Sequence, residues 1–157
     1  MRVIDMERDT YLPPVRVSVQ SGLDAPRTAL SQLLEDLSAL KLDVEEAGTL
    51  ELVVAEALNN ICEHAYSGKE RVGPIDILCR HGADGLHIAI EDEGNPMPDG
   101  KTPLGMPANV DTDMEDLPEG GFGWFLIRDL AKDIQYERKG PRNHLSLRVA
   151  VGLHPAA

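Results

Sequence analysis

Three groups of residues in this 157-residue chain carry ligating or reactive side chains at regular separations. Glu56, Asn60 and His64 recur at steps of four, which on a helix stacks them along one face. A carboxylate one turn from a carboxamide can orient a water or hydroxyl beside a divalent ion, since Asn offers an uncharged oxygen and Glu a proton acceptor. Magnesium takes such hard oxygens. The plain alternative is a solvated stripe on an amphipathic helix. Against it, apolar or small residues crowd Leu50 to Cys62. Asn59 and Asn60 also set two poor helix formers mid-helix, each less favourable than Ala by roughly half a kcal/mol. The second group is Asp92-Glu93-Gly94-Asn95-Pro96, one residue after the apolar run Leu86 to Ile90. A carboxylate fixed at a strand end accepts a hydrogen bond from an exocyclic amine, and Gly94 lets a flat ring approach the backbone, so an adenine would fit. An acidic hairpin end with a routine turn glycine accounts for the same residues. The third is Gly120-Gly121-Phe122-Gly123 before Trp124 to Ile127. Glycines at a helix start free backbone amides to face an anion, and the helix dipole adds positive potential, which suits phosphate. A hinge after an acidic loop is the alternative there.

Each group needs an element beneath it. After Pro13-Pro14, Val15, Val17 and Val19 alternate with Arg16, Ser18 and Gln20, the pattern of a strand with one buried face. Asp24 is placed to cap a helix with Pro26 in its first turn and Ala29, Leu30, Leu33, Leu34, Leu37 and Leu40 at helical spacing. Asp43 with Glu46 predicts a capping arrangement for a second helix running to about Tyr66, with Ala47, Leu50, Val54, Leu58, Ile61 and Ala65 as its apolar stripe. This helix would carry Glu56, Asn60 and His64. Ile75 to His81 and Leu86 to Asp92 predict two strands joined by a turn whose Asp84-Gly85 is a strong hairpin signal. Glu93 to Gly121 then holds five prolines and many acids without periodicity, an unusually long connection of the kind that serves as a binding loop. Beyond it, Gly123 to Lys132 predicts a helix, Asp133 to Arg138 a short strand, and Leu145 to Val151 a last strand after Gly140-Pro141. This order predicts an α/β fold, a two-layer sandwich with helices stacked on one face of a mixed β-sheet.

Charge and composition narrow the function classes. Fifteen Lys and Arg face 27 Asp and Glu, a formal net charge of −12, which argues against a nucleic-acid partner because phosphate-backbone affinity rests on basic side chains. With 42% apolar and 27% charged residues wholesale disorder is excluded. A chain of this length buries roughly 70% of its unfolded surface in one core, so a single domain over residues 1–157 is expected. Cys62 and Cys79 lie in apolar runs, as buried thiols of a reducing cytosol do. Met1 to Thr10 lacks the apolar core and cleavage site of a signal peptide, and no run approaches the roughly 20 apolar residues of a membrane span. A cytoplasmic protein with no membrane association is expected. Zinc at Cys62 and His64 is disfavoured, because residues two apart on a helix point to nearly opposite sides.

Together, in this order and with the long loop between the second and third, the groups resemble the nucleotide site of the GHKL ATPase superfamily. Glu56-Ala57-Leu58-Asn59-Asn60 through His64-Ala65-Tyr66 is similar to its N box, Asp92-Glu93-Gly94-Asn95-Pro96 to its first glycine box, and Gly121-Phe122-Gly123-Trp124-Phe125-Leu126 to its second. The likeness spans the first strand to Leu147. The short layout and the Asn-x-x-x-His-Ala-Tyr wording look most like the anti-sigma-factor serine kinases of bacterial partner-switching systems. The resemblance implies a Bergerat-type fold that binds ATP and Mg2+. It makes Glu56 the base for the attacking hydroxyl and Asn60 the magnesium ligand. Asp92 would hold the adenine amine and Gly94 would lie by the base, with Pro96 in the same box. Gly121 and Gly123 would sit at the phosphates, with Phe122 between them, beneath a lid from Glu93 to Gly120. His64 matches the motif as a nucleotide-binding residue, or else pins the helix to the adjoining strand.

Between Asp99 and Glu119 the lid holds six carboxylates and one lysine, Lys101. Such a segment repels a triphosphate unless magnesium and the helix start compensate, and phosphoryl transfer normally recruits a cation to the γ-phosphate. Lys101 and Arg128 are the candidates. The resemblance implies a serine/threonine protein kinase and anti-sigma factor that phosphorylates a small STAS-type anti-sigma-factor antagonist, with a sigma factor or other regulator as second partner and a homodimer as the assembly. The alternative is a nucleotide-binding but non-catalytic module that sequesters such a regulator.

Overall fold

The computed structural model describes residues 13–67, 72–100, 102 and 121–151. Strand β1 (Val15–Gln20) buries Val15 and Val17 and exposes Arg16 and Ser18, as period-two alternation requires. Helix α1 (Ala25–Asp36) starts with proline in its first turn, buries Ala25, Ala29 and Leu33, and gives way to a short 3-10 turn, Ser38–Leu40. Asp24 stands at its N-cap position but makes no side-chain cap hydrogen bond, its backbone being already helical. The expected box at the next helix is present. Asp43 accepts from the Glu46 N–H at 2.7 Å and donates its own N–H to Glu46 Oε1 at 3.0 Å, opening α2 (Val44–Asn60). The helix does not run on unchanged to Tyr66. It passes into one π-turn, Ile61–Ala65, so Asn59 and Asn60 lie at the junction rather than mid-helix.

Strands β2 (Pro74–Gly82) and β3 (Gly85–Asp92) form the expected hairpin over Ala83-Asp84. Gly85 closes it at φ +127°, where a Cβ would also run into the Val149 carbonyl oxygen. Helix α3 (Gly121–Leu130) begins and ends two residues before the expected bounds, because Lys132 already belongs to strand β4 (Lys132–Lys139). The last strand, β5 (Arg142–Val149), also starts and ends earlier than expected, since the Gly140-Pro141 turn pairs Lys139 directly with Arg142. Most of the expected lid, residue 101 and residues 103–120, lies outside the described residues.

The sheet order is β1-β2-β3-β5-β4, and every pairing among the described residues is antiparallel, where a mixed sheet was expected. With α1 and α2 between them, β1 and β2 are separated by an odd number of chain reversals, which leaves these neighbours antiparallel. Strands β3 and β4 run in the same direction, with β5 between them and antiparallel to both. The layering is as expected. Ile75, Ile77, Leu86, Ile88, Ile90, Leu145 and Leu147 form one buried face, packed with Leu33, Leu50, Val54, Leu58, Trp124 and Ile127 from the three helices.

Candidate functional site

Strand alternation decides what lies at the end of this core. Asp92 shares parity with Leu86, Ile88 and Ile90, and Asn143 shares parity with Leu145, Leu147 and Val149, so both project to the buried face. The register then sets them directly opposite each other. At 3% and 4% exposure they are the two buried polar side chains among the described residues.

They lie on the floor of a cavity of about 400 Å³, the size of a small-ligand site. One wall comes from α2 and the π-turn through Ala57, Asn60, Ile61, His64 and Ala65. The others come from Asn95 to Pro98, Trp124, Tyr136 and Leu145. Asp92 Oδ1 accepts from the Gly94 N–H at 2.8 Å and from Asn143 Nδ2 at 2.7 Å. Both donors fall on the same oxygen, which leaves Oδ2 without a protein donor among the described residues. Burial pushes the Asp92 carboxyl above the usual carboxylate range, and the bonds from Asn143 and Gly94 and the nearby Arg138 charge pull it partly back.

The loop after Asp92 is held tightly. A Cβ on Gly94 would run into the backbone carbonyl of Ala65, so only glycine allows the loop to lie against the π-turn. Asn95 N–H donates to that same carbonyl at 2.7 Å, taking up an acceptor that the helix end leaves open. Tyr66 completes the join. Its hydroxyl donates to the Pro74 carbonyl at 2.7 Å and accepts from the Glu93 N–H at 2.7 Å. Burial pushes the Tyr66 hydroxyl pKa up, so it remains a donor throughout the physiological range. The residue that pins helix to strand is therefore Tyr66, and His64 is exposed on the cavity wall.

At the other end, Gly123 lies in the first turn of α3, and a Cβ on it would meet Glu56 Oε1. This contact sets the Glu56 carboxylate against the start of α3, one residue before the cavity-lining Trp124. Trp124 is 1% exposed, and its indole N–H has no acceptor among the described residues.

Of the candidates from the sequence, Asn60, His64, Asp92 and Pro96 share the cavity. Gly94 packs under its floor, and Glu56 with Gly123 adjoins its wall. Gly121 and Phe122 fall in the first turn of α3, with side chains outside the described residues, as is Lys101. Arg128 does not line the cavity; it is exposed and donates to Thr102 Oγ1 at 2.5 Å. Tyr66 closes the His64-Ala65-Tyr66 motif without a role evident from it, and Tyr136, Arg138 and Asn143 lie outside every motif, though the parity of Asn143 with its apolar neighbours is a usable signal. Among the described residues no helix is long and apolar enough to cross a membrane.

A polar helix face, a buried carboxylate at a strand end and a glycine at a helix start, all around one apolar cavity, define a nucleotide-binding domain of the histidine kinase-like ATPase class. The family model for this domain matches residues 19–149, and the chain belongs to that family. It is 33% identical over 117 residues to the serine-protein kinase RsbW of Staphylococcus aureus strain bovine RF122 / ET3-1, covering 73% of this chain and 71% of that one. Over the same length it is 32% identical to RsbW of strain Newman. Among solved structures it is similar to the RsbU and RsbW domains of Rv1364c from Mycobacterium tuberculosis, with a TM-score of 0.62 and 18% identity. That match covers 92% of this chain and 34% of the other, and it shows a shared fold.

Proposed function

We propose that the chain is one ATP-binding domain, with a lid over residues 93–120, that acts as a serine/threonine protein kinase and anti-sigma factor. Its substrate would be a serine or threonine of a small STAS-type antagonist, and phosphorylation of that protein would switch the kinase toward a sigma factor or another regulator. The observation that carries the reading is the Asp92 floor: a buried carboxylate with one oxygen saturated by protein donors and the other open to an apolar cavity of about 400 Å³. That is an acceptor for an exocyclic amine on a flat apolar ring.

The donor set also fits a metal–phosphate group. Asn60 lines the cavity with an uncharged oxygen and would hold Mg2+, which when bound neutralises phosphate oxygens. Gly121 and Gly123 begin α3, where unpaired amides and the helix dipole favour an anion. Glu56, set beside that helix start, would accept the proton of the attacking hydroxyl. Asp92 and the loop it anchors would orient the base while Glu56 and Asn60 act at the phosphates. In this reading the protein is cytoplasmic and bacterial, with both cysteines as free thiols, and it works as a homodimer.

The acidic segment from Asp99 to Glu119 supports a second reading, in which nucleotide binds without efficient transfer and the domain acts by sequestration. Incubation with labelled ATP, magnesium and candidate antagonist proteins separates the two. Label on the partner's hydroxyl residue supports the kinase. Nucleotide binding and partner capture without label support sequestration, and phosphate release with no acceptor defeats both.

A further inference from the structure

Asn143 lines the cavity, yet its hydrogen-bonding capacity is spent inside the protein. Its Nδ2 donates to Asp92 Oδ1 at 2.7 Å and to the Asn95 carbonyl at 2.9 Å, with the Gly94 carbonyl 3.4 Å away. Its Oδ1 accepts from Arg138 at 3.1 Å and from the Tyr136 hydroxyl. An amide has two N–H donors and one oxygen with two lone pairs, so nothing remains for a ligand. The partners also fix which way the amide faces. Rotating it by half a turn would set its oxygen against the Asp92 carboxylate and its NH₂ against two donors, Arg138 and Tyr136.

The same three side chains hold the loop that leaves Asp92. Arg138 donates to the Gly94 carbonyl at 2.7 Å, Asn143 to that of Asn95, and the Met97 N–H donates to Tyr136 Oη at 2.9 Å. Strands β4 and β5 therefore grip the loop at three points, and one residue, Asn143, joins that grip to the carboxylate.

We propose that Asn143 is a positioning residue that selects the base through Asp92. Held by Arg138 and Tyr136, it saturates Oδ1 and leaves Oδ2 as the single acceptor facing the base edge. The site then favours a purine presenting an amine and disfavours one presenting a carbonyl at the same position. This inference rests on the nucleotide reading above and goes beyond it by assigning base selection to a residue that touches no ligand atom.

The test compares Mg-ADP with Mg-IDP, which carries a carbonyl in place of the amine, using fluorescence of Trp124, the chain's one tryptophan and a cavity wall. The wild type is expected to prefer ADP. Asn143→Ala is expected to weaken ADP binding about tenfold or more while leaving IDP nearly unchanged, so that the preference collapses. In an Asp92→Asn background the same substitution is expected to add no further loss, because the two residues act as one unit. Tyr136→Phe, which removes one lock and leaves Asn143 in place, should reduce the preference a few-fold, and it carries the test should Asn143→Ala fail to fold. An ADP preference that survives both variants, or an equal loss for ADP and IDP, overturns the inference while the nucleotide reading stands. A wild type that binds neither nucleotide overturns both.

Discussion

The two ends of the cavity are held by different means. At the floor, Asp92 and the carbonyls of Gly94 and Asn95 accept from Asn143 and Arg138, the Asn95 and Met97 N–H groups donate to the Ala65 carbonyl and to Tyr136 Oη, and Tyr66 ties the loop to β2. At the helix end, Glu56 rests against Gly123 through the tip of a flexible side chain. The glycines mark the contrast. A Cβ at Gly94 would meet backbone, which cannot step aside, whereas one at Gly123 would meet a carboxylate that can rotate. A recognition floor gains from rigidity, because its acceptor must be aimed before the ligand arrives. A proton acceptor must instead follow a hydroxyl carried in by another protein, so an adjustable side chain suits it. Substitutions at the floor should therefore act on affinity and stability, and substitutions at the helix end on the rate of transfer.

The sharpest separation comes from Glu56→Gln. The amide keeps the shape of the side chain but accepts a proton poorly, so phosphate transfer to the antagonist should fall about a thousandfold while the dissociation constant for Mg-ATP stays within about twofold. A variant that transfers at the wild-type rate would remove Glu56 from its role. Gly94→Ala is expected to reverse this pattern. With backbone in the way of the new methyl group, it should destabilise the fold by about 3 kcal/mol, read as a Tm lowered by roughly 10 °C.

Asp92→Asn tests the floor by chemistry rather than shape. The new amide can present an N–H where the base amine needs an acceptor, and ATP affinity should drop about tenfold to a hundredfold. Calorimetric titration of the ATP complex measures it, and an unchanged dissociation constant would place the base elsewhere. Gly123→Ala is the counterpart of Gly94→Ala and the gentler of the two. Alanine favours a helix over glycine by up to about 1 kcal/mol, so Tm should hold or rise slightly. The displaced Glu56 should slow transfer by about tenfold, and a variant with a collapsed Tm would show that both ends are rigid.

Much of this site was legible because its residues carry their own periodicity. Glu56, Asn60 and His64 at steps of four located one wall, and Asp43 with Glu46 started the helix that carries them where the structure starts it. The strand run ending in Asp92 located the floor. What escaped the motifs was their support. Tyr136, Arg138 and Asn143 act through bonds between segments as far apart as 51 positions, and a local pattern does not record which strands become neighbours. Sheet order decided this: β5, reached through the β4 hairpin, comes between two strands of like direction and brings Asn143 opposite Asp92. The π-turn was equally hidden, because its one extra residue per turn leaves the apolar stripe through Ile61 and Ala65 nearly unchanged.

The smallest expected effect is also the one that couples the floor to pH. Burial raises the Asp92 carboxyl above its ordinary value, against opposing bonds from Asn143 and Gly94 and the charge of Arg138. Tyr66 and Cys62, whose own pKa values burial raises, stay neutral across the range where Asp92 titrates. Between the ordinary carboxylate value and the raised one, the folded protein holds more protons here than the unfolded chain. Asp92 therefore contributes stability that is present on the acid side and is lost as pH rises through the raised value. Base binding depends on the ionised acceptor and must run the opposite way, weakening as pH falls through the same window. Mildly acidic buffer should loosen Mg-ADP while the Asp92 contribution to Tm grows, and Asp92→Asn should abolish both slopes. Should acid weaken nucleotide binding equally in wild type and Asp92→Asn, the pH dependence would not originate at the floor, and Asp92 would lose its place as the acceptor whose charge the base reads.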